Sequence, residues 1–287
     1  MIRLIAFDLD GTVLDEHKKI LPKTRQALER AAGQGIEIVP ATGRPFVGMT
    51  EEIMNLKGVR YILTSNGAGI YEKESGRCLY EDSMPLEEFL PMFVRLEKLE
   101  VMADAFVRGQ GHMNEDKAYL IPRLNASEEI RDYIRHSRLR VPSQSVYLGE
   151  RGDDVEKLTI NFALGDDGNR LDYEKAWSIV REYPQFCSVS GGMHNIEVTK
   201  KGVSKASGLR ELGRMLGVSM DEMLVFGDSG NDLEMIRSAG LGVAMENAEA
   251  EVKAAADFVT RSNTDNGIDF AMRKYLPHLI DVRDGTC

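Results

Sequence analysis

Short apolar runs recur along the first third of the chain, and each ends in polar or glycine-rich residues. Leu4-Ile5-Ala6-Phe7 stops at Asp8-Leu9-Asp10-Gly11-Thr12. Gly35-Ile36-Glu37-Ile38-Val39 runs on to Ala41-Thr42-Gly43-Arg44, and Tyr61-Ile62-Leu63-Thr64 to Ser65-Asn66-Gly67. Apolar runs bounded by turn signals read as buried strands. Between the first two lies a helical stretch at residues 22–32, with Pro22 suited to a first turn. A further helix is expected over residues 44–55. Strand, helix and strand in this order predict a parallel sheet with crossover helices.

From about Pro85 the pattern changes. A helix is expected over 86–100, then short alternating runs such as 102–107, with Gly109 and Gly111 as turn signals. A helix near 128–136, a strand at 157–164, a helix at 172–182 and edge strands at 187–190 and 196–198 follow. This α+β pattern suits an inserted module. From Lys205 the strand–helix order returns, with strands at 223–226, 242–245 and 258–260 and helices at 209–216, 232–238 and 248–255. The expected fold class is therefore α/β, a parallel-sheet core with an inserted α+β domain. The core would comprise residues 1–83 and 187–287, and the insert residues 84–186.

Composition narrows the function. With 287 residues, 43% of them hydrophobic, the chain can bury the core of one large or two moderate domains. The net charge of -10 and the lack of a basic stripe exclude a nucleic-acid partner. An acidic enzyme still binds anions where its cations are concentrated locally. Met1-Ile2-Arg3-Leu4 meets the first Asp pair too soon for a signal peptide, and no apolar run is long enough for a bilayer. Cys78, Cys187 and Cys287 are scattered and read as free thiols in a reducing cytoplasm.

The strand ends carry the chemistry, as ligand sites of open α/β sheets do. Asp8 and Asp10 crowd two carboxylates just past a strand, which is costly unless a cation or proton is shared there. Gly11 turns the backbone away and Thr12 adds a hydroxyl. Metal-assisted phosphoryl transfer needs this equipment: one carboxylate to attack phosphorus, one to handle a proton, and magnesium to hold both in register. Two plainer readings compete. One is a calcium loop, which would follow a helix and need a distal Glu. The other is a pair of turn and cap residues.

Gly227-Asp228-Ser229-Gly230-Asn231-Asp232 is the second strong signal. Asp228 ends a strand, and a helix starting there would direct Asp228 and Asp232 inward together. Both are hard ligands suited to magnesium, or else Asp and Asn cap a helix. Thr42 and the Gly43 amide can hold a phosphate oxygen, or open a helix at Arg44. Lys205 is either a phosphate clamp or a solvated lysine. A dianion beside several carboxylates requires such a cation. Asp166, Asp167 and Asp172 read as a hairpin turn plus a helix cap rather than a calcium cluster.

Taken together, Asp8-x-Asp10-Gly11-Thr12, Ala41-Thr42-Gly43-Arg44, Lys205 and Gly227–Asp232 resemble the four motifs of the haloacid dehalogenase superfamily. Their order and spacing, and the large insertion between Arg44 and Lys205, are similar to its Cof-type phosphatase branch. Ser65-Asn66-Gly67-Ala68 and Ser262-Asn263-Thr264-Asp265-Asn266-Gly267 also fit that branch. The resemblance implies a Rossmann-like core with a mobile cap inserted after the third strand. It implies Asp8 as nucleophile, forming an aspartyl-phosphate, and Asp10 as acid and then base. Thr42, Gly43 and Lys205 would hold the phosphate. Asp8, the Asp10 carbonyl and Asp228 would bind Mg2+, with Asn231, Asp232, Arg44 and Asn66 in support.

Magnesium would keep Asp8 ionised, while Asp10, beside another carboxylate, is expected to hold a proton near neutral pH. The function so implied is a magnesium-dependent phosphatase of a small phosphorylated metabolite, with a sugar phosphate as the expected class and the cap choosing it. One alternative is a phosphomutase, although Arg108, Arg123, Arg131, Arg135, Arg138 and Arg140 form no evident cluster for a second phosphate. The other is a non-catalytic metabolite sensor, which would need neither Asp8 nor Asp10.

Overall fold

A computed structural model describes residues 1–190 and 195–280, and Cys287 lies outside them. The chain divides into two compact units. The first gathers Met1–Arg44, Met49–Tyr80 and the chain from Ser204 onward. Its centre is a parallel five-stranded sheet in the order Phe258–Val259, Leu241–Ala244, Met223–Gly227, Leu4–Phe7 and Glu37–Pro40. Leu4, Ile5, Ala6 and Phe7 are fully buried, as a central parallel strand covered on both faces requires. Helix Pro22–Gly33 crosses from this strand to Glu37–Pro40. It begins with Pro22 and buries Thr24, Ala27, Leu28 and Ala31, one stripe at helical spacing.

Two expectations change here. Tyr61–Thr64 and the residues just before it meet the parallel sheet only through isolated parallel bridges, Ala41 to Leu63 and Ile38 to Val59. Its main partner is the antiparallel Gly69–Glu72, in a three-stranded sheet completed by Cys78–Glu81. Positive φ at Ser65, Asn66 and Gly67 reverses the chain too tightly for a crossover helix. The helix expected over 44–55 is reduced to a 3-10 turn at Phe46–Gly48 and a single turn at Glu51–Met54.

The second unit comprises Glu81–Val203 with Pro45–Gly48. Its six-stranded sheet runs Phe186–Ser190, Ile196–Lys200, Lys157–Phe162, Val101–Val107, Gln110–Asn114 and Arg138–Val141. All neighbours pair antiparallel except the last two strands. One face carries Val101, Ala103, Ala105, Leu158, Ile160, Ile196 and Val198. These pack with Phe89, Phe93, Leu148 and Ile179 from helices Leu86–Leu96, Gln144–Arg151 and Tyr173–Arg181. The expected boundary at residue 186 falls short. Ile196–Lys200 is no edge strand but lies between Phe186–Ser190 and Lys157–Phe162, so the unit extends to Val203. Cys78 and Cys187 are exposed thiols. Among the described residues no helix is long and apolar enough to cross a membrane.

Candidate active site

Four loops at the carboxyl ends of the first unit's strands bring the expected residues together. Gly11, at φ +83°, turns the chain after Asp10 and leaves room for Asp228, with which any β-carbon there would collide. Thr12 Oγ1 donates to Asp228 Oδ1 at 2.7 Å, tying the end of Leu4–Phe7 to the end of Met223–Gly227. The Thr42–Arg44 loop is knit to the Ser65–Gly67 turn, with the Ser65 amide donating to the Arg44 carbonyl and the Asn66 amide to the Thr42 carbonyl, both at 3.0 Å. Thr42 Oγ1 accepts from the Arg44 amide at 3.1 Å. Gly43 faces the Asn66 side chain, which in turn accepts from Asn231 Nδ2 at 3.1 Å.

Lys205 is the first residue of helix Lys205–Leu216, behind a Ser204–Ser207 capping box. Gly67, at φ +103°, lies so close to the Ser204 carbonyl that a β-carbon would strike it. This approach carries Lys205 inward, and the solvated reading is overturned: Lys205 is fully buried. Its Nζ lies 2.5 Å from Asp8 Oδ1 and 2.6 Å from Asp232 Oδ1. Asp232 serves two purposes at once. Its Oδ1 meets Lys205, while its Oδ2 accepts from the amides of Asp228 at 2.9 Å and Ser229 at 3.1 Å. The helix-cap and site readings of this residue are therefore both realised.

Asp8, Asp228 and Asp232 each place a carboxylate oxygen within 4.8 Å of the others. Asp232 has committed both oxygens, so Asp8 and Asp228 are the ones that can turn to a cation. Burial, with Asp232 and Asp228 close by, pushes Asp8 upward against the pull of Lys205. Burial likewise raises Asp228 to about 6, despite the Thr12 hydrogen bond. Burial disfavours the Lys205 ammonium, but Asp232 and Asp8 outweigh it and hold its pKa above the usual lysine value. One lysine thus faces three carboxylates. A hard divalent cation between Asp8 and Asp228 would relieve the remaining repulsion, and all-oxygen ligands fit magnesium.

Asp10 departs from expectation. Its side chain is outside this cluster and faces cations instead. Arg44 Nε donates to Asp10 Oδ2 at 2.8 Å and Arg44 Nη2 to Oδ1 at 2.7 Å, while Lys18 Nζ reaches Oδ1 at 2.7 Å. Burial alone would raise Asp10, but Arg44 and Lys18 outweigh it and hold the carboxyl at about 2. In this conformation Asp10 is ionised at neutral pH, and Asp8 is the member of the pair that is pushed up.

Sequence reasoning missed Lys18, which stands at φ 59° in a short polar loop with no motif to mark it. It also missed a latch of two amides. Asn247 Nδ2 donates to the Gly11 carbonyl at 2.7 Å and Asn263 Nδ2 to the Leu14 carbonyl at 2.8 Å. The Asn263 amide donates to Asn247 Oδ1 at 3.1 Å, which fixes the orientation of that side chain. Asn263 belongs to a motif already singled out, so the signal for it was present, but its task was not readable. Asp166 and Asp167 pair with Arg123 and the Asn169 amide, and no metal-ligand cluster forms there among the described residues.

The profile of the haloacid dehalogenase-like hydrolases matches residues 5–272. The chain is 28% identical to the 5-amino-6-(5-phospho-D-ribitylamino)uracil phosphatase YcsE of Bacillus subtilis, over 96% of each chain. It is 29% identical to the pyridoxal phosphate phosphatase YbhA of Escherichia coli, over 93% of this chain and 96% of that one. Among solved structures it is similar to BT4131, described as a sugar phosphatase of HAD subclass IIB. That similarity has a TM-score of 0.74 at 28% identity, covering 95% of this chain and 98% of the other.

Proposed function

We propose that this chain, which belongs to the haloacid dehalogenase-like hydrolases, is a magnesium-dependent phosphoric monoester hydrolase of small phosphorylated metabolites, sugar phosphates foremost. The observation that carries the reading is the buried Asp8, bridged by Lys205 to Asp232 and facing Asp228. Asp8 attacks phosphorus, the ester oxygen departs with a proton supplied by Asp10, and an aspartyl-phosphate forms. Asp10, now deprotonated, takes a proton from water as its oxygen attacks phosphorus, which releases phosphate and regenerates Asp8. Thr42, the Gly43 amide and Lys205 hold the phosphoryl oxygens. Asp8, the Asp10 carbonyl and Asp228 would hold Mg2+, which when bound supplies Lewis-acid charge stabilisation. Asn231, Asn66 and Asp232 fix the loops, and Arg44 positions Asp10.

In the second unit, Arg108, Arg123, Arg131, Arg135 and Arg138 already pair with carboxylates. A second phosphate, as in a phosphomutase, would have to displace these five, while Arg140 stands outside such pairs among the described residues. Exposed Cys78 and Cys187 suit a reducing compartment such as the cytoplasm. The test is Asp8→Asn, which removes the attacking anion and nearly keeps the shape. Phosphate release with magnesium present should fall by several orders of magnitude, as for loss of an essential nucleophile. Near-normal turnover by the folded variant would sink the mechanism.

A further inference from the structure

Lys18 stands in the left-handed region, at φ 59°, in the turn between Leu14 and Ile20. Glycine and asparagine are the usual residues there, because a β-carbon meets the following carbonyl oxygen at a cost of about 1–2 kcal/mol. The turn is firmly built. The Asp15 amide donates to the Lys19 carbonyl at 2.9 Å, and the Lys18 amide to the Asp15 carbonyl at 3.1 Å. Asp15 Oδ1 accepts from the amides of His17 at 2.9 Å and Lys19 at 2.8 Å. Leu14 and Ile20 form an antiparallel bridge at its base. Asn263 holds Leu14, and Glu52 accepts from the Ile20 amide at 3.4 Å and from Lys19 Nζ at 3.1 Å.

This fixed backbone delivers the Lys18 ammonium to Asp10 Oδ1 at 2.7 Å. Arg44 Nη2 already donates to that oxygen at 2.7 Å, and Arg44 Nε to Oδ2 at 2.8 Å, so Asp10 is paired without Lys18. The Lys18 pair is half exposed and contributes at most about 1 kcal/mol, no more than the strained backbone costs. Stability therefore does not account for a lysine at this position. Asp10, Arg44 and Lys18 together leave one positive charge in excess, on the side chain that water can most easily release.

We infer that Lys18 selects among leaving groups, donating to an oxygen on the carbon next to the one that bears the phosphate ester, be it hydroxyl, carbonyl or carboxylate. The inference rests on the phosphatase reading above, in which Asp10 meets the ester oxygen. An ester oxygen on Asp10 Oδ1 lies no more than about 5.5 Å from Lys18 Nζ, because each is one hydrogen bond from the same atom. An oxygen on the adjacent carbon, gauche to the ester oxygen, falls within that span. As the ester takes Asp10, the displaced ammonium turns to this oxygen, and an ester without one leaves Lys18 only water. Lys18, Asp10 and Arg44 all belong to the first unit, so the selection needs no group from the second.

The test measures kcat/KM with magnesium for two matched pairs of esters: glycerol 1-phosphate against propane-1,3-diol monophosphate, and phosphoglycolate against ethyl phosphate. Only the first member of each pair carries an oxygen on the adjacent carbon. The wild type should prefer that member, and Lys18→Met should lower the preference about tenfold, the equivalent of one hydrogen bond from a charged donor, mainly through KM. Comparison within a pair cancels any general effect on Asp10. Lys18→Arg, which keeps a charged donor, should restore part of the preference. Lys18→Gly, whose backbone suits the left-handed turn, should lose it as Lys18→Met does and serves if that variant does not fold. Lys23→Met, at an exposed position of the next helix, should change nothing. No preference in the wild type, unchanged preferences in folded Lys18→Met and Lys18→Gly, or an equal loss with all four esters would overturn the inference and leave the phosphatase reading standing. A loss confined to one pair supports it and identifies the oxygen as hydroxyl or carboxylate. If the wild type hydrolyses none of the esters, the phosphatase reading fails separately, and calorimetry with glycerol 1-phosphate and phosphoglycolate decides. Binding weakened by Lys18→Met supports the inference, and no binding, or binding that this variant leaves unchanged, refutes it.

Discussion

Replacing Lys205 by methionine removes one charge of similar length from a site with no solvent to compensate. Nζ lies 2.5 Å from Asp8 and 2.6 Å from Asp232, and the Lys205 side chain is 0% exposed. In Lys205→Met, Asp232 keeps its two amide donors, but its Oδ1 and the Asp8 carboxylate lose their shared partner. Breaking a buried pair from one side costs about 3–5 kcal/mol, a large part of a domain's net stability. The loss has a definite pH dependence. Wild-type Lys205, raised above its unfolded value, contributes stability in full below that value and loses it only as pH rises through the folded one. It therefore stays charged between pH 5 and 8. In the variant, burial drives Asp8 still higher, so the folded state takes up protons as pH falls, and the deficit shrinks toward acid. Urea denaturation followed by circular dichroism, in chelator at pH 8 and pH 5, measures both quantities. A deficit under about 1 kcal/mol at pH 8, or one equal at the two pH values, would refute the claim that Lys205 neutralises this buried pair.

Chelation should abolish phosphate release and magnesium restore it. Calcium should support turnover poorly because its larger, looser shell spoils in-line geometry, and full activity after verified metal removal would contradict this. Asn247→Asp keeps the acceptor for the Asn263 amide but loses the donor to the Gly11 carbonyl. It should lower kcat about tenfold with little change in KM, as expected when the loop bearing Asp8 and Asp10 is no longer held. An unaltered kcat would reduce the latch to packing.

What was legible in the sequence was local. Leu4–Phe7 and Met223–Gly227 announce themselves as strands by composition, and the polar residues just after them are where a parallel sheet gathers its ligand groups. Depth was not legible, because burial is a property of contacts far along the chain. Lys205 looks like any lysine until Gly67 lets its helix close on the Ser65–Gly67 turn. Strand pairing was equally hidden. Ile196–Lys200 lies inside the sheet beside Lys157–Phe162, whereas the alternation alone marked it as an edge strand and the boundary expected at residue 186 left it outside the insert. The reversal at Ser65–Gly67 depends on left-handed φ at two residues other than glycine, which no local preference announces.

Asp10 shows how far spacing can mislead about chemistry. Two carboxylates one residue apart invite the argument that mutual repulsion raises one of them. Yet the strand stops at Phe7, and the turn that follows, with Gly11 at φ +83°, breaks the same-face alternation that would have set Asp10 beside Asp8, and the neighbours then decide. Asp8 is turned to Asp228 and Asp232, Asp10 to Arg44 and Lys18. If Asp10 is the proposed acid, these two ion pairs have to part before it can serve. They are unequal. Lys18 is 49% exposed and Asp10 42%, so that pair is worth at most about 1 kcal/mol and water can replace it. Arg44 is 17% exposed and binds both oxygens of Asp10, so its release is the costlier step. The anionic phosphate is the natural competitor for that guanidinium. A substrate that draws Arg44 toward itself would raise Asp10 in the same movement, so that proton delivery becomes available when the ester arrives and not before.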